Sequence, residues 1–245
     1  MNSHTVFLKG WSAWAPGLET IETQREWAAG RAAIRQAADA PPLSFLPMLF
    51  RRRLSQLSKM VLQVGHALAG DGGNPSLVFA SRFGEVNKQF QITDALIASG
   101  EVSPGVFSLS VFNAPVFLLS IAEHIHAAGN ALYTRDRGAV VALVEALGIL
   151  LPPEARDCLV LFGDEYLPAP YRTLADDVPE PYAFGMLISR ESAAGCITLE
   201  IELTDQSGPD QPEHPLTLLR WLLSGKTAPL FLPGPGMSLR VRRTP

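Results

Sequence analysis

The stretch ALYTRDRGAVVALVEAL, 131–147, constrains the fold most. It opens on a short apolar run with strand character, meets the charged triplet Thr134-Arg135-Asp136, and continues into a helix apolar on nearly every side. Such a helix has no solvent face to offer and must lie between layers. A strand that feeds directly into a buried helix belongs to an α/β architecture, where the junction carries side chains at the end of a sheet.

The rest of the chain repeats the theme. TVFLKGWSAWAPG reads as a strand ended by Pro16-Gly17, and ETIETQREWAAGRAAI as a helix begun near Glu19 or Thr20 and closed by Gly30. RRRLSQLSKMVLQVGHALAG is expected to be one amphipathic helix beginning at the arginines, with Leu54, Leu57, Val61, Val64 and Leu68 at spacings of three and four. SLVFASRFGE, the junction strand and DCLVLFGDEYLP are strand candidates separated by the helical runs VNKQFQITDALIASG and APVFLLSIAEHIHAAG. YAFGMLIS and CITLEIELT flank a short RESAAG and predict a hairpin. HPLTLLRWLLSG predicts a last helix, with Leu216, Leu219, Leu222 and Leu223 on its repeat, before a Pro/Gly-rich end. The alternation predicts an α/β fold with a mixed, mainly parallel central sheet, a C-terminal hairpin and a helix.

Charge and thiol content exclude several classes. A net charge of −4 shows no nucleic-acid footprint, and the basic SLRVRRTP reads as a solvated tail. Cys158 and Cys196 sit in apolar strand-like runs without metal-ligand spacing, so free buried thiols and no metal are expected. No leader segment and no membrane span are expected, which fits a reducing cytoplasm. His124 and His126, two apart on an expected helix, face different sides and make poor joint ligands. GDGGNP lacks the Lys and Ser/Thr of a phosphate loop and reads as a turn.

The order of these segments resembles the N-terminal half of a β-ketoacyl synthase, a thiolase-like fold. Gly10, Pro16, Gly17, Trp27 and Gly30 stand where that family's first strand and helix place such residues. The most specific likeness is EVSPGVFSLSVFNAP, with Ser103, Pro104 and then Asn113 opening a buried helix. The resemblance covers roughly residues 5–205. It implies a half-domain over 1–205, with the helix and tail of 206–245 packing on it. SVFNAP, GDEYLPAPY and the short chain look most like chain-length-factor subunits of aryl-polyene and xanthomonadin-type pigment clusters.

The resemblance also says what is missing. The family places a cysteine at the strand-to-helix junction, where a thiolate accepts an acyl chain from a carrier-protein thioester. Here that slot falls on Asp136, beside Thr134 and Arg135, or on Gly138 in another register. The family's histidine pair comes from the second half, and His4, His66, His124, His126 and His214 do not match it. The implied function is a catalytically silent subunit, needing no cofactor, that pairs with an active β-ketoacyl synthase and meets an acyl carrier protein through the complex. The implied acyl-tunnel and partner-facing residues are Gly105, Val106, Phe107, Phe112 and Asn113. Arg51, Arg52 and Arg53 are carrier-docking candidates, since a carrier protein is acidic. Asp164 and Glu165, at a strand exit, are further candidates for a functional contact. The alternatives are a malonyl-carrier decarboxylase using Asp136 and a stand-alone homodimeric acyl-binding or scaffold protein.

Overall fold

The computed structural model describes residues 2–70, 73–135, 137–173, 180–204, 214–234 and 236–244. In chain order its elements are β1 (Asn2–Trp14), α1 (Ile21–Ala28), α2 (Met48–Arg51), α3 (Gln56–Ala69), β2 (Ser76–Ser81), α4 (Val86–Ser99), α5 (Pro104–Phe107) and α6 (Ala114–Ala122). They continue with β3 (Gly129–Tyr133), α7 (Gly138–Ile149), β4 (Asp157–Asp164), α8 (Ala169–Arg172), β5 (Tyr182–Ser189), β6 (Ile197–Thr204), α9 (Pro215–Ser224), β7 (Leu230–Leu232) and β8 (Ser238–Thr244).

Local chemistry sets several boundaries. The Thr20 hydroxyl accepts from the Thr23 N–H, and the Thr23 hydroxyl accepts from the Thr20 N–H, so α1 begins there. Ser55 caps α3 by accepting from the Ser58 N–H at 2.9 Å. Contrary to the expectation from sequence, the three arginines therefore do not open the long helix. Arg51 closes the one-turn α2, and Arg52 and Arg53 lie in the turn before the cap. This spares α3 three cations against the positive end of its dipole.

One eight-stranded sheet runs in the order β3-β2-β4-β5-β1-β6-β8-β7. The α/β class and the mixed sheet hold, but the parallel part is smaller than expected. Only β2 with β3 and β2 with β4 pair in parallel; every other neighbouring pair is antiparallel. The cause is β1, whose two flanks serve two strands. β5 pairs with its later half, Phe7 to Trp14, and β6 with its earlier half, Asn2 to Leu8. β5 and β6 thus point the same way on opposite flanks of β1, and the expected hairpin between them does not form.

Side-chain alternation gives the sheet two apolar faces over β2, β4 and β5. Leu77, Phe79, Leu159 and Leu161 meet the α3 stripe Leu57, Val61, Val64 and Leu68, together with Leu119 of α6. Val78, Val160, Phe162, Phe184 and Met186 meet Leu143 of α7, Trp27 of α1 and Leu218 and Trp221 of α9. The result is a helix–sheet–helix stack with α7 inside it.

The end of the chain belongs to this sheet. Residues of the expected solvated tail form β8, which pairs with β6 from Ser238 to Thr244. Leu239 and Val241 are buried, while Arg240 reaches Glu202 at 3.1 Å and Arg242 reaches the same carboxylate at 3.6 Å. Such rim pairs add at most about 1 kcal/mol each, so the apolar alternation sets the register. His124 and His126 also differ from expectation, since both follow the end of α6. Among the described residues no helix is long and apolar enough to cross a membrane.

Helix α3 lies so close to the sheet that a Cβ on Gly185 would stand 2.8 Å from Val64 Cγ1 and 3.0 Å from Leu161 Cδ2. Gly185→Val is therefore expected to lift α3 and cost about 1–3 kcal/mol. A urea titration should show a lower midpoint with an unchanged slope.

Candidate functional site

The helical side of the strand-to-helix junction is packed by a distant segment. Thr134 is buried and its N–H donates to the Ser81 carbonyl at 3.0 Å, while Arg135 is exposed. Asp136, the residue expected in the nucleophile slot, lies outside the described residues. Two positions on, Gly138 starts α7, and a Cβ there would be 2.9 Å from Pro215 Cγ and 3.3 Å from Thr134 Oγ1. The first residue of α9 thus rests on the start of α7. A Cβ on Gly234 would stand 3.2 Å from Val140 Cγ1, so the tail also packs along the next turn.

Neither cysteine lies at this junction. Cys158 pairs with Ser76 at the start of the parallel strands, whereas the junction follows their far end, where Ser81 pairs with Tyr133. Cys158 is fully buried, and burial, followed by the charges of Glu145 and Asp157, pushes its thiol up to about 12. Cys196 precedes β6 and is half-buried.

The exit of β4 holds three buried acids. Asp164 Oδ1 accepts from the Ser81 hydroxyl at 2.8 Å and from the Arg82 and Phe83 N–H groups at 2.9 Å each. Glu165 Oε1 accepts from the Asn87 N–H at 2.8 Å. Glu85, at the start of α4, accepts from the Ser55 and Ser58 hydroxyls at 2.8 and 2.5 Å. Burial is the leading cause that raises all three, to about 6 for Asp164 and Glu165 and about 7 for Glu85. Asp164 and Glu165 are thus brought together with Glu85, which sequence reasoning passed over. The acids fasten the 81–87 turn between β2, β4 and α3.

That turn supports an apolar groove at the edge of the sheet. A Cβ on Gly84 would stand 2.5 Å from Phe112 Cδ2, so Phe112 lies directly on the turn. Its ring centroid is 6.1 Å from Phe79 and 6.5 Å from Tyr133. Phe112, Asn113, Phe117 and residues 129–132 line a groove of about 540 Å³. Among the described residues β3 is the end strand, so one side of its backbone faces no described neighbour in the sheet. Phe117 of the groove wall and Tyr133 of β3 are exposed, Tyr133 at 68 %, and so are Phe107, Val111 and Ile121 on the flanking segments of the chain. Gly105, Val106 and Phe107 belong to the one-turn α5, which precedes Phe112 in the chain. Of the loop residues expected from sequence, Phe112 and Asn113 line this groove, whereas Gly105, Val106 and Phe107 lie in α5 outside its lining; Phe117 joins the wall. A strand's edge position is a property of topology and leaves no mark in the strand itself.

The arginine triplet divides. Arg51 Nη1 donates to the Pro42 carbonyl at 2.7 Å and turns inward, whereas Arg52 and Arg53 are exposed. Arg53 Nη2 would lie 3.5 Å from a Cβ on Gly105, which places it beside α5.

Comparison with known proteins follows this geometry. The family model described as "Beta-ketoacyl synthase, N-terminal domain" matches residues 24–231. No curated protein sequence matches. Among solved structures, a chain of the complex between ketosynthase ApeO and its chain length factor ApeC from Xenorhabdus doucetiae is 26% identical. That alignment covers 98% of this chain and 100% of the other, with a TM-score of 0.80. The ishigamide ketosynthase/chain length factor is 15% identical over 82% of this chain and 67% of its own, with a TM-score of 0.66. A β-ketoacyl synthase from Burkholderia phymatum STM815 is 13% identical over 89% and 69%, with a TM-score of 0.60. At those identities the last two likenesses show the fold alone.

The two thiols should separate by accessibility. In the folded protein at pH 8, a maleimide is expected to label Cys196 and to leave Cys158 unmodified until denaturant is added, as read by mass spectrometry of the peptides.

Proposed function

The chain belongs to the β-ketoacyl synthase N-terminal domain family, and from that membership we propose that it is a non-catalytic, chain-length-factor-type partner of an active β-ketoacyl synthase. The observation that carries the proposal is the unpaired, apolar β3 edge beside the groove walled by Phe112 and Phe117. An exposed edge strand of this kind invites pairing with another chain, and the flanking apolar side chains would be desolvated by the same contact. The likeness to a chain of a ketosynthase–chain length factor complex supports the choice of partner.

In this reading the partner supplies the thiolate and the histidines, and this chain makes no covalent bond to the acyl group. Its work is spatial. β3 continues the partner's sheet, while Phe107, Phe112 and Asn113 wall the cavity in which the growing chain lies. Bulky rings there limit the room available and so the length released. The seating of Pro215 on Gly138 supports silence at the junction, because the space in front of α7 is taken by the protein's own tail. Arg52 and Arg53, exposed beside α5, suit the approach of an acidic carrier protein. Within the 206–245 segment, of which 206–213 lie outside the described residues, α9 and Gly234 serve as a cover for the start of α7, and a polyene-type pathway is the setting the relatives suggest.

Co-expression with a ketosynthase of the aryl-polyene type tests this. A stable heterodimer is expected on size exclusion, and Phe107→Arg should weaken it by about tenfold or more, the size of one lost aromatic anchor. Arg52→Glu with Arg53→Glu should leave the heterodimer intact and slow acyl transfer from the carrier. A homodimer indifferent to the ketosynthase, or carbon dioxide release from malonyl-carrier protein by the chain alone, sinks the proposal.

A further inference from the structure

The acids beneath the groove carry an inference of their own, which holds whether or not the groove receives a partner. Glu85 and Glu165 are both fully buried. Each uses one carboxylate oxygen in hydrogen bonds, and each has a second oxygen, Oε2, without a partner at good hydrogen-bond geometry, although the Leu57 N–H lies near Glu165. Both second oxygens are closed to water. Two such oxygens are costly to leave bare in a site of low dielectric. A neighbouring cavity of about 410 Å³ is lined by Glu165, Lys88, Arg172 and Asn87, and Glu85 is not among its lining residues. A bound hydrogen is the smallest group that answers the deficit.

We propose that Glu85 and Glu165 hold one proton between them near neutral pH, and that this proton fastens the 81–87 turn on which Phe112 is seated. The surrounding charges are accounted for element by element. The start of α3 presents the Ser55 and Ser58 hydroxyls and the Leu57 N–H, none of them ionisable. α4 brings Lys88, which favours the Glu85 anion, and the turn brings Arg82 close to Asp164. β4 brings Asp164, a like charge to Glu165, and α8 brings Arg172 to the cavity wall. These three cations do not outweigh burial and mutual repulsion, since Glu85 stays raised to about 7 with burial and then Glu165 as the causes.

The sign follows from the raised value. A carboxyl held protonated in the fold contributes stability that is fully present below its unfolded value of about 4.5. That contribution is lost as pH rises through about 7. Above that, two anions face each other at the start of α3. The turn loosens, and with it the hydrogen bonds from the Arg82, Phe83 and Asn87 N–H groups and the seat of Phe112.

Three readouts on the full chain test this. With 13C-labelled glutamate, one carboxyl is expected to titrate near neutral pH, well above the others. The thermal midpoint of the wild type should fall by several degrees between pH 6 and pH 8.5, while Glu85→Gln, fixed neutral, should remove most of that slope. Hydrogen exchange at 82–87, corrected for base catalysis, should speed up over the same interval in the wild type and not in Glu85→Gln. Glutamate carboxyls that all titrate in the ordinary acid range overturn the proposal, and this carbon measurement stands even if the variant fails to fold. Equal pH slopes in the two proteins, or an 82–87 turn whose protection ignores pH, overturn it as well.

Discussion

A β-sheet can end only where something deals with the hydrogen-bonding groups of its last strand. Here β3 ends the sheet with a bare flank, a groove of aromatic and backbone walls, and a set of exposed apolar side chains. Charged edge residues, prolines or bulges are the usual protection against pairing. β3, with the sequence GNALY, carries none of them. At the opposite end, the last strands are short or studded with arginine and glutamate. The molecule is guarded on one edge and open on the other, and the functional reading rests on that asymmetry.

The second constraint is the cover over α7. A helix apolar on most of its surface needs more cover than the sheet alone gives, and α9 with Gly234 adds it over the first turns of α7, while Val141 stays exposed. The same contact seats Pro215 of α9 on Gly138, the first residue of the helix, so one interaction joins the cover to the start of α7.

How much of this the sequence displayed depends on the range of each interaction. Local features were legible: the Thr20 cap, the glycine stops and the α3 stripe from Leu57 to Leu68 all act within a few residues of themselves. The β5–β6 hairpin was misread because the strand that separates them is β1, whose residues lie some 180 positions earlier in the chain. β8 was mistaken for a tail because its arginines hide the alternation of Leu239 and Val241, and its partners Glu200 and Glu202 lie on a distant strand. The loop residues of the groove came from resemblance, whereas Phe117 and Tyr133 needed the topology. Glu85 was invisible because its coupling to Glu165 spans 80 positions, and a Gly-Glu pair before a helix reads as an ordinary helix start.

The central claim is that the β3 edge is a buried seam in the working protein. Hydrogen exchange of 129–133 and of α6, measured with and without an equimolar ketosynthase, tests it most directly. Strong protection of the β3 amides on mixing, with Tyr133 and Ile121 inside the protected footprint, is the predicted result. A complex that forms while β3 exchanges as freely as before would contradict the account.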